Sequence, residues 1–431
     1  MNRHLFGLCA ISFMTAACSP APEANSRETS GSASETKIVS AGAAAADAIE
    51  DRRNELIAFR RDLHRNPDLS NEEARTAGKV SDRLKELGFD VTEGVGGHGV
   101  VALLDGAKAG PLVAFRADMD AVRSDAPDPA PFASERPGIR HICGHDIHTT
   151  IGLALAEGFA EAREDLSGSV MLIFQPAEEA ASGARAMLAD GAFDGSVPDA
   201  IFAYHTAPLE TGVLMTSDAR LMSALDRVEV TISGGDRNQE TAAEIFNGLK
   251  ALTTVESPFA TQLADSDFIY ADVAAARSAE SGAARITANL SLATAAASKN
   301  AKIAVEDLIN EAKAAAPEAD IALVYSASYV PGVVNDVETT RKAVSIARSQ
   351  LGEEAVVYTQ NVIPTFSEDY GHFLNETRGM MFFLGVSNAE KGWVGMPHSP
   401  DYMADEEAIF IGAKTMARIM IDQLNPDAAQ E

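Results

Sequence analysis

The sequence predicts an α/β protein in which a smaller α+β domain interrupts a larger domain. Two observations lead to this prediction. Apolar runs typical of buried strands alternate with amphipathic helical patterns in both outer parts of the chain, which favours an α/β layer architecture. Between residues 225 and 330 the order changes to strand, helix, strand, strand, helix and strand. This β-α-β-β-α-β order is typical of a ferredoxin-like unit.

The individual elements are predicted from hydrophobic periodicity and from the turn residues that flank it. In the larger domain, residues 45–224 and 331–425, they are helices Ala45–His64 and Glu72–Leu87, strands Val100–Leu104 and Leu112–Arg116, helix Thr149–Arg163, strands Val170–Phe174 and Ile201–His205, helix Glu338–Gln350, strand Met380–Leu384 and helix Glu406–Gln423. In the inserted domain, residues 225–330, they are strand Asp226–Ile232, helix Thr241–Thr253, strands Phe268–Ala274 and Ala284–Leu292, helix Ala301–Ala315 and strand Ile321–Ala327.

The first 44 residues have a different character. Residues 1–18 combine Arg3 with the apolar run Leu5–Met14 and end in Ala17-Cys18, which resembles a lipoprotein signal peptide and its processing site. Residues 19–44 are rich in Ser, Ala, Pro, Glu and Thr and lack aromatic residues, so they are predicted to form a disordered tether. We therefore expect an exported, periplasmic protein, anchored to the outer membrane if Cys18 is lipidated.

Charge and cysteine usage restrict the function further. The formal net charge of −28 argues against nucleic acids and anionic membrane surfaces as partners. Cys9 would be removed with the signal and Cys18 would be lipidated, so Cys143 would be the one cysteine of the folded part. An exported protein with a single free thiol has no disulfide framework, which favours a functional role for Cys143.

A metal site is predicted where several ligand types follow predicted strands or loops. Cys143 and His145 lie in the short run His141–His148, and a thiolate is a good ligand for a divalent metal ion. The other candidates are the pair Glu178-Glu179 after strand Val170–Phe174, His205 at the end of strand Ile201–His205, and His398 in a late loop. Taken singly, each is more often a core or surface residue. Taken together, they indicate a site beyond the strand carboxyl ends, where ligands of open α/β sheets bind.

The residues resemble a known enzyme family. The matching runs, spaced in order from Asp47 to the C-terminus, are Arg60-Arg61-Asp62-Leu63-His64-Arg65-Asn66-Pro67, Phe115-Arg116-Ala117-Asp118-Met119-Asp120-Ala121, Cys143-Gly144-His145-Asp146-Ile147-His148, Phe174-Gln175-Pro176-Ala177-Glu178-Glu179 and Ser367-Glu368-Asp369-Tyr370. They are similar to the two-metal amidohydrolases that include hippurate hydrolases, bacterial aminoacylases and plant auxin-conjugate hydrolases. The resemblance implies a metallo-exopeptidase-like catalytic domain with the insertion as a lid, and a possible homodimer through that lid.

The resemblance also implies site roles. Two divalent cations, Mn, Zn, Co or Ni, would share a water molecule, with Cys143 bridging them and His145, Glu179, His205 and His398 completing their ligands. Glu178 would be the base that takes the proton of the water. Asp118 and Asp120 would orient ligands, or are simply buried hydrogen-bonded carboxylates, and His141 and His148 have structural or supporting roles.

The chain departs from the family in the inserted domain. Relatives usually carry a His after the first lid strand, whereas Ser233–Gln239 has none, and the Arg usual in the third lid strand is replaced at about Ser291. Arg237 and Asn238 are candidates for the missing substrate contacts, or lie on an exposed turn. The favoured function is hydrolysis of the amide bond of N-acyl amino acids. A metallo-dipeptidase or carboxypeptidase acting on short peptides, and an impaired homologue that only binds a ligand, stay open as alternatives.

Overall fold

The computed structural model describes residues 33–425 except 236, 258–260, 264–265 and 278–282. In this part of the chain the helices are α1 Ala33–Asp51, α2 Arg53–Arg65, α3 Ala74–Glu86, α4 His145–Ala162, α5 Gly183–Ala189, α6 Asn238–Ala251, α7 Ala295–Ala315, α8 Val337–Leu351, α9 Gly371–Glu376 and α10 Glu407–Gln423. The strands are β1 Asp90–Val95, β2 Gly99–Asp105, β3 Lys108–Asp118, β4 Val122–Arg123, β5 Ile139–Arg140, β6 Ser167–Gln175, β7 Ala200–Glu210, β8 Leu214–Thr216, β9 Ala224–Ser233, β10 Gln262–Leu263, β11 Ile269–Arg277, β12 Ala284–Leu292, β13 Asp320–Val330, β14 Val356–Tyr358, β15 Asn361–Val362 and β16 Gly379–Ser387.

The larger domain is built on an eight-stranded sheet. Its strand order is β1-β2-β6-β3-β7-β16-β8-β14. The four central strands β6, β3, β7 and β16 are parallel to one another, whereas β2 and β8 run antiparallel to them. The carboxyl ends of the central strands therefore open at one edge of the sheet, which is where open α/β sheets bind ligands.

Side chains of the central strands alternate between two buried layers. Phe115, Leu172 and Phe202 belong to the apolar layer that contains residues of α1, α4 and α10. Ala114 and Ile173 belong to the layer on the opposite side of the sheet. Because successive strand residues point to opposite faces, Arg116, Asp118, Gln175 and His205 continue this second layer as polar groups. The second face thus turns polar toward the carboxyl ends of the strands.

The inserted domain has the predicted β-α-β-β-α-β order. Its sheet has the strand order β11-β12-β9-β13, and each neighbouring pair is antiparallel. Helices α6 and α7 pack on one face of this sheet through a separate apolar cluster. The predicted ferredoxin-like architecture is confirmed, and dimerisation through this domain stays a prediction.

The predicted tether is wrong for residues 33–44, which form the beginning of α1. Ile38, Ala41, Ala45 and Ile49 are buried, and α1 packs against α4 and α10. Their helical spacing places them on one face, and alanine has the highest helix propensity, so the Ala-rich composition favours a packed helix here. Residues 1–32, which include the predicted signal peptide, lie outside the described residues. None of the helices in residues 33–425 is long and apolar enough to cross a membrane.

Several helix boundaries differ from the prediction, including the start of α7 at Ala295 in place of Ala301. Two of the differences concern α2 and α4, which pack against each other. The helix predicted over Ala45–His64 is two helices that meet at Arg52, whose backbone has left the helical conformation at φ −91° and ψ 7°. The helix predicted to begin at Thr149 begins at His145 instead. The second difference matters for the site, because it places His145 and His148 on the first turn of a buried helix.

Candidate metal centre

A cleft of about 600 Å³ lies beyond the carboxyl ends of the parallel strands. Cys143, Glu178, Glu179, His205 and His398 from the larger domain all line it. The inserted domain contributes Leu225, Asn289 and Val330. Five of the six residues predicted as metal ligands or base therefore share one cavity between the two domains, and the sixth, His145, is buried next to Glu178 and Glu179.

Cys143 and His145 are placed by the turn that starts α4. Gly144 between them has φ 94°, a left-handed conformation that glycine adopts without strain. A Cβ atom on Gly144 would collide with the hydroxyl groups of Tyr402 and Thr206. The Thr206 hydroxyl also donates a hydrogen bond of 2.6 Å to the Cys143 carbonyl. The turn therefore holds the Cys143 side chain at the cleft and the buried His145 side chain behind it.

Hydrogen bonds decide which histidine nitrogens are free. Nδ1 of His205 lies 2.8 Å from the Thr206 carbonyl and donates a hydrogen bond to it. Nε2 of His205 therefore carries no proton, and its lone pair is available 3.5 Å from Sγ of Cys143. His148 is different, because its Nε2 accepts the Thr206 N–H at 2.9 Å and its Nδ1 faces Asp118 at 2.7 Å. His205 therefore offers a ligand atom, whereas both nitrogens of His148 are already used.

Two buried carboxylates hold the turn that carries the glutamate pair. Asp120 accepts the backbone N–H groups of Glu178 at 3.1 Å and Glu179 at 3.0 Å. Glu73 accepts the N–H of Ala177 at 2.8 Å, and Ala177 has a left-handed φ of 52°. Three successive N–H groups are thus bound by two acids. Asp120 is a buried hydrogen-bonded carboxylate and also orients Glu179, so both roles considered for it from the sequence are met. The role of Glu73 was not predicted from the sequence.

His398 reaches the site from a late loop. Its backbone N–H donates to the Ile142 carbonyl at 2.7 Å, so this loop is fixed beside Cys143. Its Nε2 lies 3.3 Å from Oε1 of Glu179. On the other side of the cleft, Nε2 of His145 lies 3.7 Å from the same Glu179 oxygen and 3.8 Å from Oε2 of Glu178.

These side chains form groups that are able to hold metal ions. The potential ligand atoms lie within 4.8 Å of one another in each of three groups that contain the predicted residues: Cys143, His145 and His205; Cys143, Glu179 and His398; His145, Glu178 and Glu179. The first two groups share Cys143. The structure therefore brings all five predicted ligands together and places the thiol between two sets.

The electrostatics of these groups fit a bound cation. Burial, and then the charges of Glu179 and Glu178, raise the pKa of Cys143 well above its ordinary value, so a thiolate there needs a compensating positive charge. The carboxylates of Asp118 and Asp120 overcome burial and raise the pKa of His145 to about 10. Oε1 of Glu179 and Nε2 of His145 are buried without a hydrogen-bond partner in the described part of the chain. Buried polar atoms normally have partners, and a metal ion would supply them.

A charged network that sequence reasoning left without a role lies beneath the cleft. Arg116 is buried and contacts Asp118 at 2.7 Å, Glu368 at 2.8 Å and Asp369 at 3.2 Å. Carboxylate oxygens of Glu178, Glu368 and Asp369 lie within 4.8 Å of one another. Burial, followed by the charges of Glu368, Glu179 and Asp369, raises the pKa of Glu178 well above its ordinary value. An Arg inside an apolar strand is a signal for such partners, because buried charges are paired.

The structure does not bring Arg237 and Asn238 to the cleft. The Arg237 guanidinium is more than half exposed and pairs with Glu240 at 2.6 Å. The Asn238 side chain is buried, and its Oδ1 accepts the N–H of Gly235 at 3.0 Å. The prediction that these two residues contact the substrate is therefore not supported, because each side chain has a local partner at the start of α6.

The fold and the cleft define a class of protein, a metal-dependent hydrolase with an α/β catalytic domain and an inserted α+β domain. The sequence profile of "Peptidase family M20/M25/M40" matches residues 114–422, which is more than half of the chain. The chain belongs to this family, whose members include hydrolases of amide bonds.

Two relatives and one solved structure are similar to this chain over most of its length. The chain is 30% identical over 391 residues to the N-acetylcysteine deacetylase of Bacillus subtilis, covering 85% of this chain and 96% of the relative. It is 30% identical over 383 residues to thermostable carboxypeptidase 2 of Saccharolobus solfataricus, and the match covers 85% of this chain and 94% of the relative. The solved structure of Bacillus subtilis YXEP is described as a dinuclear metal binding peptidase from the M20 family. It superposes on this chain with a TM-score of 0.70 at 28% identity, and the match covers 87% of this chain and 99% of YXEP.

Proposed function

We propose that this protein hydrolyses the amide bond that joins an acyl group to an amino acid, using two divalent cations, Mn, Zn, Co or Ni. The observation that carries the proposal is the meeting of Cys143, His145, Glu179, His205 and His398 around one cleft, with Glu178 beside them. The similarity to an N-acetylcysteine deacetylase supports the acyl amino acid as substrate, and the similarity to a carboxypeptidase supports short peptides as the alternative.

The five ligand residues would hold the cations in two sets that share Cys143. Bound cations of this kind lower the pKa of a water molecule and polarise the scissile carbonyl. Asp120 orients the two glutamates, because it accepts hydrogen bonds from the backbone N–H groups of Glu178 and Glu179.

Glu178 would move the protons. It lines the cleft next to the ligand residues, and a carboxylate in this position is able to take a proton from a bound water and return it. In the proposed reaction Glu178 accepts a proton from the attacking water and then donates one to the leaving amine. Glu179, one residue along, points to His398 and His145 and belongs to the ligands.

A substrate screen tests the proposal. Purified protein is loaded separately with Mn, Zn, Co or Ni and assayed on N-acetyl amino acids, N-benzoyl amino acids and dipeptides. We expect the acylated compounds to be cleaved faster than the dipeptides. Faster dipeptide cleavage would favour the peptidase alternative, and binding without turnover in every metal form would overturn the proposal in favour of a ligand-binding homologue.

We also propose that the protein is exported and anchored through Cys18. The support is the lipoprotein-like pattern of residues 1–18. An anchored enzyme of this kind would meet its substrate in the periplasm.

A further inference from the structure

The charge of the cleft is unusual for a site that binds amino acids. Its lining includes the carboxylates Glu178, Glu179, Glu368 and Asp369, whereas no Lys or Arg lines it in the described part of the chain. Free carboxylates are usually bound by arginine, whose planar fork donates two hydrogen bonds to them. A substrate with a free α-carboxylate would find no such partner here.

The guanidinium beneath the cleft cannot take this role. Nε of Arg116 donates to Gln175, its Nη1 donates to Asp118 and Glu368, and its Nη2 donates to Glu368 and Asp369. These contacts use all five N–H groups of the side chain. Arg116 is also buried, so its charge is directed to three carboxylates and not to the cavity.

The inserted domain offers a neutral group in the same place. Of its three residues that line the cleft, Leu225 and Val330 are aliphatic and Asn289 is polar. Asn289 is exposed, and its side-chain amide has no hydrogen-bond partner within the described residues. Ser291, on the same face of β12, is buried. The amide of Asn289 is therefore the group that this strand presents to a substrate.

The nearest cation on the neighbouring strand is already engaged. Arg227 is the cross-strand partner of Asn289 on β9. Its Nε donates to Glu229 at 2.9 Å, and its guanidinium lies 5.2 Å from the centre of the Tyr329 ring. Arg227 does not line the cleft. An amide, which both donates and accepts hydrogen bonds, suits a carboxamide or peptide group better than a carboxylate.

We propose that the cleft takes N-acyl amino acids whose carboxyl group is uncharged, as a carboxamide or in a further peptide bond, and that Asn289 binds this neutral group. The inference rests on the proposed function and deepens it by naming the substrate class. Within the described residues the cleft lining has no Lys or Arg to bind a free carboxylate, and the Asn289 amide supplies a hydrogen bond to the blocked form.

The test compares matched pairs, N-acetyl-methionine with N-acetyl-methioninamide and N-benzoylglycine with N-benzoylglycinamide, in the metal-loaded full chain. Wild-type protein is expected to favour the carboxamide in kcat/KM on the order of tenfold, a difference of about 1.4 kcal/mol. Asn289→Ala should raise KM for the carboxamide more than it lowers kcat. Asn289→Arg should move the preference toward the free acid by a similar factor.

Thr287→Arg is the matched control, because Thr287 lies on the same face of β12 and outside the cleft lining. It should leave the preference unchanged, and thermal unfolding should show that all variants fold. A wild-type preference for the free acids, or an equal shift in Asn289→Arg and Thr287→Arg, would overturn the inference. If neither member of any pair is cleaved, the proposed function fails, and calorimetric binding of the pairs to the Mn-loaded protein then decides the inference by the same preference.

Discussion

Nδ1 of His148 lies 2.7 Å from Oδ1 of Asp118, and both side chains are buried. Since Nε2 of His148 accepts the Thr206 N–H, the Nδ1 atom carries the proton and donates it to Asp118. Asp118 also accepts from Arg116 at 2.7 Å. This chain of contacts fixes the first turn of α4, and with it His145, without using His148 as a metal ligand.

His148→Phe keeps the ring volume and removes both hydrogen bonds. We expect metal affinity to fall by about 10- to 100-fold, the usual effect of losing a group that supports ligands. Affinity is measured by competition with a chelator. His141→Phe is the control, because His141 is a buried His of the same stretch whose ring nitrogens have no partner among the described residues. Equal affinities in both variants would contradict the supporting role of His148.

Cys143→Ser and Glu178→Gln should separate metal binding from proton transfer. Cys143 belongs to two candidate ligand groups, so Cys143→Ser should lower metal content, measured by elemental analysis. Glu178→Gln should keep the metal and reduce turnover by about 100- to 10 000-fold, the range for a general base. Equal metal loss in the two variants, or full activity in Glu178→Gln, would show that the roles are divided differently.

Glu73 should make stability depend on pH. Burial, together with the charge of Asp120, raises the pKa of Glu73 to about 7 from 4.5. A raised folded-state pKa means that the protonated form is favoured on folding, so its contribution is present below about pH 4.5 and is lost as the pH rises through about 7. Between pH 5 and pH 8 the free energy of unfolding of metal-free wild type should therefore fall, relative to Glu73→Gln, by on the order of 2 kcal/mol. Denaturant unfolding at both pH values measures this, and parallel pH profiles would refute it.

Arg237→Ala and Asn238→Ala should leave turnover at the wild-type level, because neither side chain lines the cleft. Arg237→Ala removes an exposed ion pair and should change stability by less than about 1 kcal/mol. Asn238→Ala removes the hydrogen bond to the Gly235 N–H and should cost about 1 kcal/mol. Kinetics on the best substrate of the screen, with denaturant unfolding beside it, checks both. A large loss of turnover without a loss of stability would return these residues to the list of substrate contacts.

Cys18→Ser tests the proposed anchor. Several lipid chains hold a protein firmly at a membrane, whereas the variant would carry none. We expect wild type in the membrane fraction of producing cells and Cys18→Ser in the soluble fraction. Unchanged processing and unchanged fractionation in the variant would show that the lipoprotein prediction is wrong.

Local patterns were enough for much of the fold and for the ligand set. The strands that end at Asp118, Gln175 and Glu210 are recognisable as apolar runs, and the β-α-β-β-α-β order of the insertion follows from the succession of periods. Glu179 follows the second of these runs and His205 lies within the third, whereas Cys143 and His145 stand at the start of α4 and His398 in a late loop. Helix ends were less predictable, since α1 gains its first turns by packing against α4 and α10, contacts that are distant in sequence.

The sequence by itself determined the longer helices and the central strands, the family and the residue types able to bind metal, because these depend on periodicity and on motifs of a few neighbouring residues. The outer strands β1, β8 and β14 and the short helices α5 and α9 were not predicted. Only the tertiary structure decided that Glu73 and Asp120 both accept backbone N–H groups of the turn that carries Glu179. It also decided that Arg116 donates every N–H of its guanidinium to buried partners, and that Asn289 and not Arg237 lines the cleft. Such relations join residues separated by tens to hundreds of positions. They depend on how the sheet and the inserted domain pack, which no local pattern records.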